Sequence, residues 1–249
     1  MGGANMDSLK SKVALITGAS KGIGRATARR LAEEGANLVV GATGTDLLDS
    51  LVKDVKESGV KTLAAKCDVT KYSDCQDLVQ QALAEFGQID ILVNNAGVGF
   101  SGKVVESVPE EIEHMIKVNI MGVYYMTRSV LPAMIEKESG DIVNIASVAG
   151  LKYSPNFAMY SATKFAVRAF SEGLRNEVQP HNIRVTLIHP GMTKTNFFET
   201  FARGGLRIPQ DKGDILKPEA IADAIYFALS QSQGVALNEI TVRPSWQER

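Results

Sequence analysis

The sequence predicts one α/β domain built on a doubly wound, seven-stranded parallel sheet. Apolar runs near residues 13–17, 37–41, 62–67, 89–93, 142–146, 184–188 and 239–242 alternate with helical segments, the order expected of parallel strands joined by crossover helices. A glycine turn also stands between the first of these strands and the first helix.

Val13-Ala14-Leu15-Ile16 is apolar at every position, as in a strand covered on both faces. It leads into Thr17-Gly18-Ala19-Ser20-Lys21-Gly22-Ile23-Gly24 and a helical stretch over 25–34. Strand, glycine turn and helix in that order describe a phosphate cradle: glycines let the backbone approach, and the helix N-terminus presents free N–H groups to an anion. The expectation is a nucleotide site. The second strand runs out into Ala42 and Thr43. The third ends at Cys67, followed by Asp68 and Val69, with Asp68 also suited to capping a helix that begins near Ser73. The fourth, Ile89-Asp90-Ile91-Leu92-Val93, enters Asn94-Asn95-Ala96-Gly97. Ser107-Val108-Pro109-Glu110 reads as a capping box, and Asn119 falls within a helical stretch, where Asn is a mediocre residue on propensity. Ser147 closes the fifth strand, Pro180 stops the helix over 156–179, and Pro190-Gly191 reads as a turn after the sixth strand.

No repeat, low-complexity tract or Pro- or Ser-rich linker divides the chain. The expected organisation is a flexible tail over 1–11 and one domain over 12–249, with a substrate loop at about 192–216. The 27 Lys and Arg residues balance 28 Asp and Glu, which argues against nucleic acid or an anionic membrane as partner. No apolar run approaches the roughly 18 residues of a membrane span, and the N-terminus lacks the apolar core of a secretory signal. The two cysteines, Cys67 and Cys75, are too few for a disulfide framework and suit a reducing cytoplasm. His114, His181 and His189 have no ligand spacing, so no metal site is expected.

Tyr160-Ser-Ala-Thr-Lys164 sets a phenol and an ammonium four residues apart, on one face of a helix. Acid/base work by a phenol near neutrality needs a downward shift of roughly 3 pKa units, about 4 kcal/mol, and a neighbouring cation pushes that way. The glycine turn, Asn94 to Gly97, Ser147 and the Tyr160/Lys164 pair, in that order, resemble the short-chain dehydrogenase/reductase family, whose pattern is TGxxxGxG, NNAG, a Ser and YxxxK. The resemblance runs from about residue 12 to 244 and implies a Rossmann-like fold.

It also implies roles. Tyr160 donates a proton to a carbonyl oxygen in reduction. Lys164 tunes it and binds the nicotinamide ribose, Ser147 bonds the same oxygen, and Asn119 holds a water that relays protons to the lysine. The implied nicotinamide cofactor rests on Gly18, Ser20, Lys21, Gly22, Ile23 and Gly24. Further implied contacts are Asp68 and Val69 near the adenine, Asn95, Ala96 and Gly97 along the ribose, and Pro190, Gly191, Thr193 and Thr195 near the nicotinamide amide. The family's NAD-selecting Asp after the second strand is replaced by Ala42 and Thr43, while Lys21 adds a cation, so the expected cofactor is NADP(H).

The expected activity is reduction of a small ketone, a semialdehyde or a 3-oxoacyl thioester. Asn238 to Pro244 resembles reductases of small hydroxy acids and semialdehydes, and the layout after strand two resembles 3-oxoacyl-carrier-protein reductases. Phe197, Phe198, Phe201, Arg203 and Arg207 fall in the loop expected to choose the substrate. The alternative is a catalytically idle NADP(H)-sensing protein, which would not need the proton-transfer set. The helix over 156–179 is apolar on more than one side, which suits a second subunit, and the resemblance implies homodimers or homotetramers built on it. The alternative is ordinary exposed apolar surface.

Overall fold

The computed structural model describes residues 9–195, 197, 201 and 213–247. Seven parallel strands form one sheet in the order β3-β2-β1-β4-β5-β6-β7: β1 (Val13–Thr17), β2 (Asn37–Ala42), β3 (Thr62–Lys66), β4 (Ile91–Asn94), β5 (Gly140–Ile145), β6 (Ile183–Pro190) and β7 (Glu239–Val242). The helices between them are α1 (Gly22–Glu33), α2 (Asp46–Val55), α3 (Tyr72–Phe86), α4 (Pro109–Ile116), α5 (Gly122–Lys137), α6 (Ala158–Val178) and, later in the chain, α7 (Pro218–Leu229).

The unbroken apolar strands follow from burial on both faces, with alternate residues facing opposite layers. Ala14 and Ile16 of β1 pack with Leu31 of α1, Leu48 and Leu51 of α2, and Ile221 and Ile225 of α7. Val13 and Leu15 face Leu78 of α3, Met126 and Val130 of α5, and Leu174 of α6. Strand order reverses at β1, which pairs with β2 on one side and β4 on the other. Chain connections therefore diverge above the carboxyl ends of β1 and β4, opening a crevice suited to a ligand.

Several boundaries differ from expectation for local reasons. The domain begins by Leu9, whose side chain is buried in the core while the Ser11 amide donates to the Gly35 carbonyl, so residues 9–11 are not tail. Helix α1 starts at Gly22, inside the glycine turn. The expected capping box does not form: α4 starts at Pro109 without a side-chain cap, and the Ser107 hydroxyl donates back to the Val104 carbonyl. Asp68 does not cap α3 either. Its carboxylate accepts from the Thr70 amide and hydroxyl, and its own amide is held by Asp74. Asn119 lies in a π-helical turn, Lys117–Met121, between α4 and α5, a local widening frequent at functional sites.

Beneath the carboxyl ends of the central strands runs a buried polar chain. Asn94 donates to Thr127 of α5 at 3.0 Å and to Asn144 of β5 at 2.8 Å. Asn144 donates to Ser171 of α6 at 2.8 Å, and the Ser171 hydroxyl donates to the Val167 carbonyl. The first three links cross from one element to another, so α5, β4, β5 and α6 are tied at one level, and the last anchors Ser171 within its own helix.

Candidate active site

A cleft of about 1030 Å³ lies over the carboxyl ends of the strands. The sheet order lays the site out along it: Asp68 follows β3, Thr43 follows β2, the glycine turn follows β1, Asn95 follows β4, Ser147 lies beyond β5 and Gly191 follows β6. Gly18, Ser20, Lys21, Gly22, Ile23, Thr43, Asp68, Val69, Asn95, Ala96, Gly97, Ser147, Tyr160, Lys164, Pro190, Gly191, Thr193 and Thr195 all line it. Gly24 and Asn119 do not; they act from beneath.

The glycine turn fits a dinucleotide. Gly18 and Gly22 have φ of 63° and 58°, and a Cβ on Gly18 would lie 2.9 Å from the Ala96 Cα. A Cβ on Gly24 would stand 2.4 Å from both the Asn95 Nδ2 and the Gly18 carbonyl oxygen, so its glycine lets the turn close on the fourth strand. Helix α1 has no side-chain N-cap and no acidic residue in its first turn, which leaves its first amides and the positive end of its dipole for an anion. Asn95 braces the turn, donating from Nδ2 to the Thr17 carbonyl at 2.9 Å and to the Gly18 carbonyl at 3.1 Å. The Thr17 hydroxyl accepts from the Asn95 and Ala96 amides, each at 3.1 Å.

Tyr160 and Lys164 lie on the inward face of α6, both buried. The Tyr160 hydroxyl and the Ser147 side chain line the cleft together, and the serine acts to lower the phenol's proton affinity. Ser147 is extended at the end of its strand and accepts from the Ala149 amide at 3.1 Å, which leaves its own hydroxyl proton to donate outward. Its carbonyl lies 3.0 Å from the His189 Nδ1. The Lys164 ammonium donates to the Ile145 carbonyl at 3.1 Å and sits 5.8 Å from the centre of the Tyr160 ring.

Asn119 clamps the chain after the NNAG turn. Its Oδ1 accepts from the Val98 amide at 2.9 Å, and its Nδ2 donates to the Val98 carbonyl at 2.9 Å and to the Thr163 hydroxyl at 3.1 Å. Both ends of its side-chain amide are thus used in fixing backbone beside the cleft and joining it to α6.

The electrostatics reverse one expectation. Burial pushes the Tyr160 hydroxyl up to about 12, against a smaller lowering by the Ser147 hydrogen bond, and pushes the Lys164 ammonium down to about 8. Loss of hydration of the charged form outweighs the neighbouring cation. The aromatic wall over Tyr160 explains this. Phe201 stacks edge-on at 5.0 Å and Phe197 lies at 5.9 Å between ring centres, while Phe157 contacts both Tyr160 and Phe201. Gly99 makes room, since a Cβ there would come within 2.3 Å of Phe201.

Phe197 and Phe201 thus border the reactive phenol, as their place in the expected substrate loop suggested, whereas Phe198, Arg203 and Arg207 lie outside the described residues. Sequence reasoning missed Phe157, His189, Arg243 and Gln247. Phe157, His189 and Gln247 belong to no local motif; Arg243 falls in the Asn238 to Pro244 segment singled out in the sequence without a role of its own, and the parallel pairing of β6 with β7 brings it and Gln247 to the cleft. Among the described residues no cluster of potential metal ligands occurs, and no helix is long and apolar enough to cross a membrane.

Comparison with known proteins agrees with this geometry. The family model for short chain dehydrogenases matches residues 12–204. An uncharacterized oxidoreductase of Staphylococcus saprophyticus is 40% identical over 246 residues, covering 97% of this chain and 99% of its own. Among solved structures, the alcohol dehydrogenase of the archaeon Thermococcus sibiricus, complexed with 5-hydroxy-NADP, has a TM-score of 0.86 at 32% identity, covering 96% of this chain and 98% of its own. The 3-ketoacyl-(acyl-carrier-protein) reductase of Brucella melitensis, complexed with NADH, has a TM-score of 0.87 at 34% identity, covering 96% and 99%. With the glycine cradle, the Ser147–Tyr160–Lys164 set gathered in the cleft and a match over most of its length, the chain belongs to the short-chain dehydrogenase family of oxidoreductases.

Proposed function

We propose that the protein is an NADPH-dependent carbonyl reductase acting reversibly on a small ketone, a semialdehyde or a 3-oxoacyl thioester. The observation that carries this reading is the juxtaposition of Tyr160, Lys164 and Ser147 inside a cleft that fits a dinucleotide. The nicotinamide cofactor supplies the hydride. Ser147 donates to the carbonyl oxygen, orienting it and stabilising charge that develops there. Tyr160 gives its proton to that oxygen as the oxygen gains alkoxide character and becomes the stronger base; burial keeps the phenol protonated until then, while making it the weaker acid. Lys164 holds positive charge beside the phenolate left behind, and Asn119 positions the wall at Val98 without touching the reacting atoms. The aromatic wall excludes water.

The NADP(H) reading rests on Thr43 and Ala42 lining the cleft where a carboxylate would repel a phosphate, and on exposed Lys21 beside them. The Thermococcus relative carries an NADP derivative and the Brucella relative NADH, so the side chains carry this choice. The two cysteines are free and buried, which favours a reducing cytoplasm. A second copy of the chain is the proposed cover for α6, where Ala158, Ala162, Phe165 and Ala169 are exposed along one stripe.

The test is oxidation of NADPH with a panel of activated ketones, semialdehydes and 3-oxoacyl thioesters, with Tyr160→Phe as control. Turnover that Tyr160→Phe abolishes while NADPH still binds supports the reductase. Tight NADPH binding with no turnover across the panel favours the sensor.

A further inference from the structure

Arg243 stands one residue beyond β7 and lines the cleft. It is half-buried. The other half-buried arginines among the described residues, Arg25, Arg30, Arg168, Arg175 and Arg184, each hold a carboxylate. The Arg243 guanidinium has no such partner among the described residues. Asp68 is the one carboxylate lining the cleft among them, and it sits after β3, at the other end of the sheet.

The strand order fixes what Arg243 faces. A dinucleotide with its adenosine over β2 and β3 and its phosphates at the turn after β1 brings its reactive ring to Ser147 and Gly191, after β5 and β6. Arg243, just after β7, lies beyond that ring.

Its setting is rigid. The Gly191 amide donates to the Val242 carbonyl at 2.7 Å, and a Cβ on Gly191 would lie 2.6 Å from the Arg243 Cβ. The Gln247 Oε1 accepts from the Met192 amide at 3.0 Å, which leaves the Gln247 Nε2 as a donor. The Trp246 indole donates to the Asp214 carbonyl at 2.9 Å, pinning the segment between them. An arginine carried on a fixed stretch of backbone, near a spare amide donor, supplies the donors that the two oxygens of a carboxylate accept from.

We propose that Arg243, assisted by Gln247, grips a carboxylate on the substrate, making the preferred substrate class a short oxo acid or a semialdehyde acid. This rests on the reductase reading above and narrows it.

The experiment compares acetoacetate with methyl acetoacetate, which differ in the anion and keep the same ketone, using NADPH and the wild-type, Arg243→Gln and Arg243→Lys proteins. The wild type favours the acid. Arg243→Gln raises KM for the acid about 10- to 100-fold, the range for losing a hydrogen bond to a charged group, so that the acid-to-ester ratio of kcat/KM collapses. Arg243→Lys, which keeps the charge but not the fork, restores part of it. An equal wild-type preference for acid and ester, or a ratio that survives Arg243→Gln, overturns the proposal. Calorimetric titration of the NADP-bound proteins with malonate in phosphate-free buffer reads the same grip without turnover. Binding by the wild type that Arg243→Gln loses supports it, and equal or absent binding in both overturns it. Should neither ketone be reduced while malonate discriminates the two proteins, the reductase reading fails and the anion site stands.

Discussion

The Lys164 ammonium lies 5.8 Å from the centre of the Tyr160 ring and donates to the Ile145 carbonyl, one residue before Ala146 and two before Ser147. The lysine therefore links the strand end that carries Ser147 to the helix that carries Tyr160, and burial of both groups decides their proton affinities.

The pH dependence of reduction follows. Tyr160 keeps its proton to about 12 and Lys164 loses its charge near 8. Reductive kcat/KM, which reports the free protein, is expected to be level below pH 8 and to fall above it as the lysine neutralises. A profile that keeps rising through pH 9 contradicts the assignment.

Lys164 also costs stability. Its folded pKa, about 8, lies below the ordinary 10.5, so between those values the unfolded chain binds more protons and stability from this group rises with pH. Lys164→Met should therefore abolish turnover yet melt at or above the wild-type temperature at pH 7. The gap should shrink between pH 8 and 10.5 in thermal scans. A variant that melts well below wild type at pH 7 removes the argument.

Gly24→Ala places a methyl 2.4 Å from the Asn95 Nδ2 and the Gly18 carbonyl oxygen. Forced overpacking of this kind costs about 1–3 kcal/mol. Here it should also open the glycine turn, so urea denaturation should show the loss and NADPH titration a weaker affinity. Unchanged values in both assays would mean that the turn adjusts freely.

Lys21→Glu should weaken NADPH much more than NADH, because the added carboxylate sits beside Thr43 where a 2′-phosphate is proposed. Fluorescence titration with both nucleotides decides this, and equal losses remove the NADP(H) argument.

Legibility in the sequence tracked locality. The sheet, the cradle and the Ser147, Tyr160 and Lys164 set were readable because each motif is contiguous and its spacing maps directly onto a strand end or a helix turn. The capping box failed because Ser107 has a nearer acceptor in Val104. The phenol's shift was misjudged because spacing shows the cation but not the phenylalanines that strip water from the hydroxyl. Asn119 was found, but the side-chain clamp that occupies its amide depends on Val98 and Thr163, which no sequence rule connects. Arg243 reaches the cleft through a parallel pairing between segments some fifty residues apart.

The chain from Asn94 through Asn144 to Ser171 has a mechanical consequence. Sliding α6 by a single residue would turn its inward face through about 100° and take Ser171 away from the Asn144 amide, leaving that donor without a partner in a dry interior, a penalty of roughly 1–3 kcal/mol. The phase of that helix is thereby locked well below the proton-transfer level, and aim at the substrate is set by groups that never meet it.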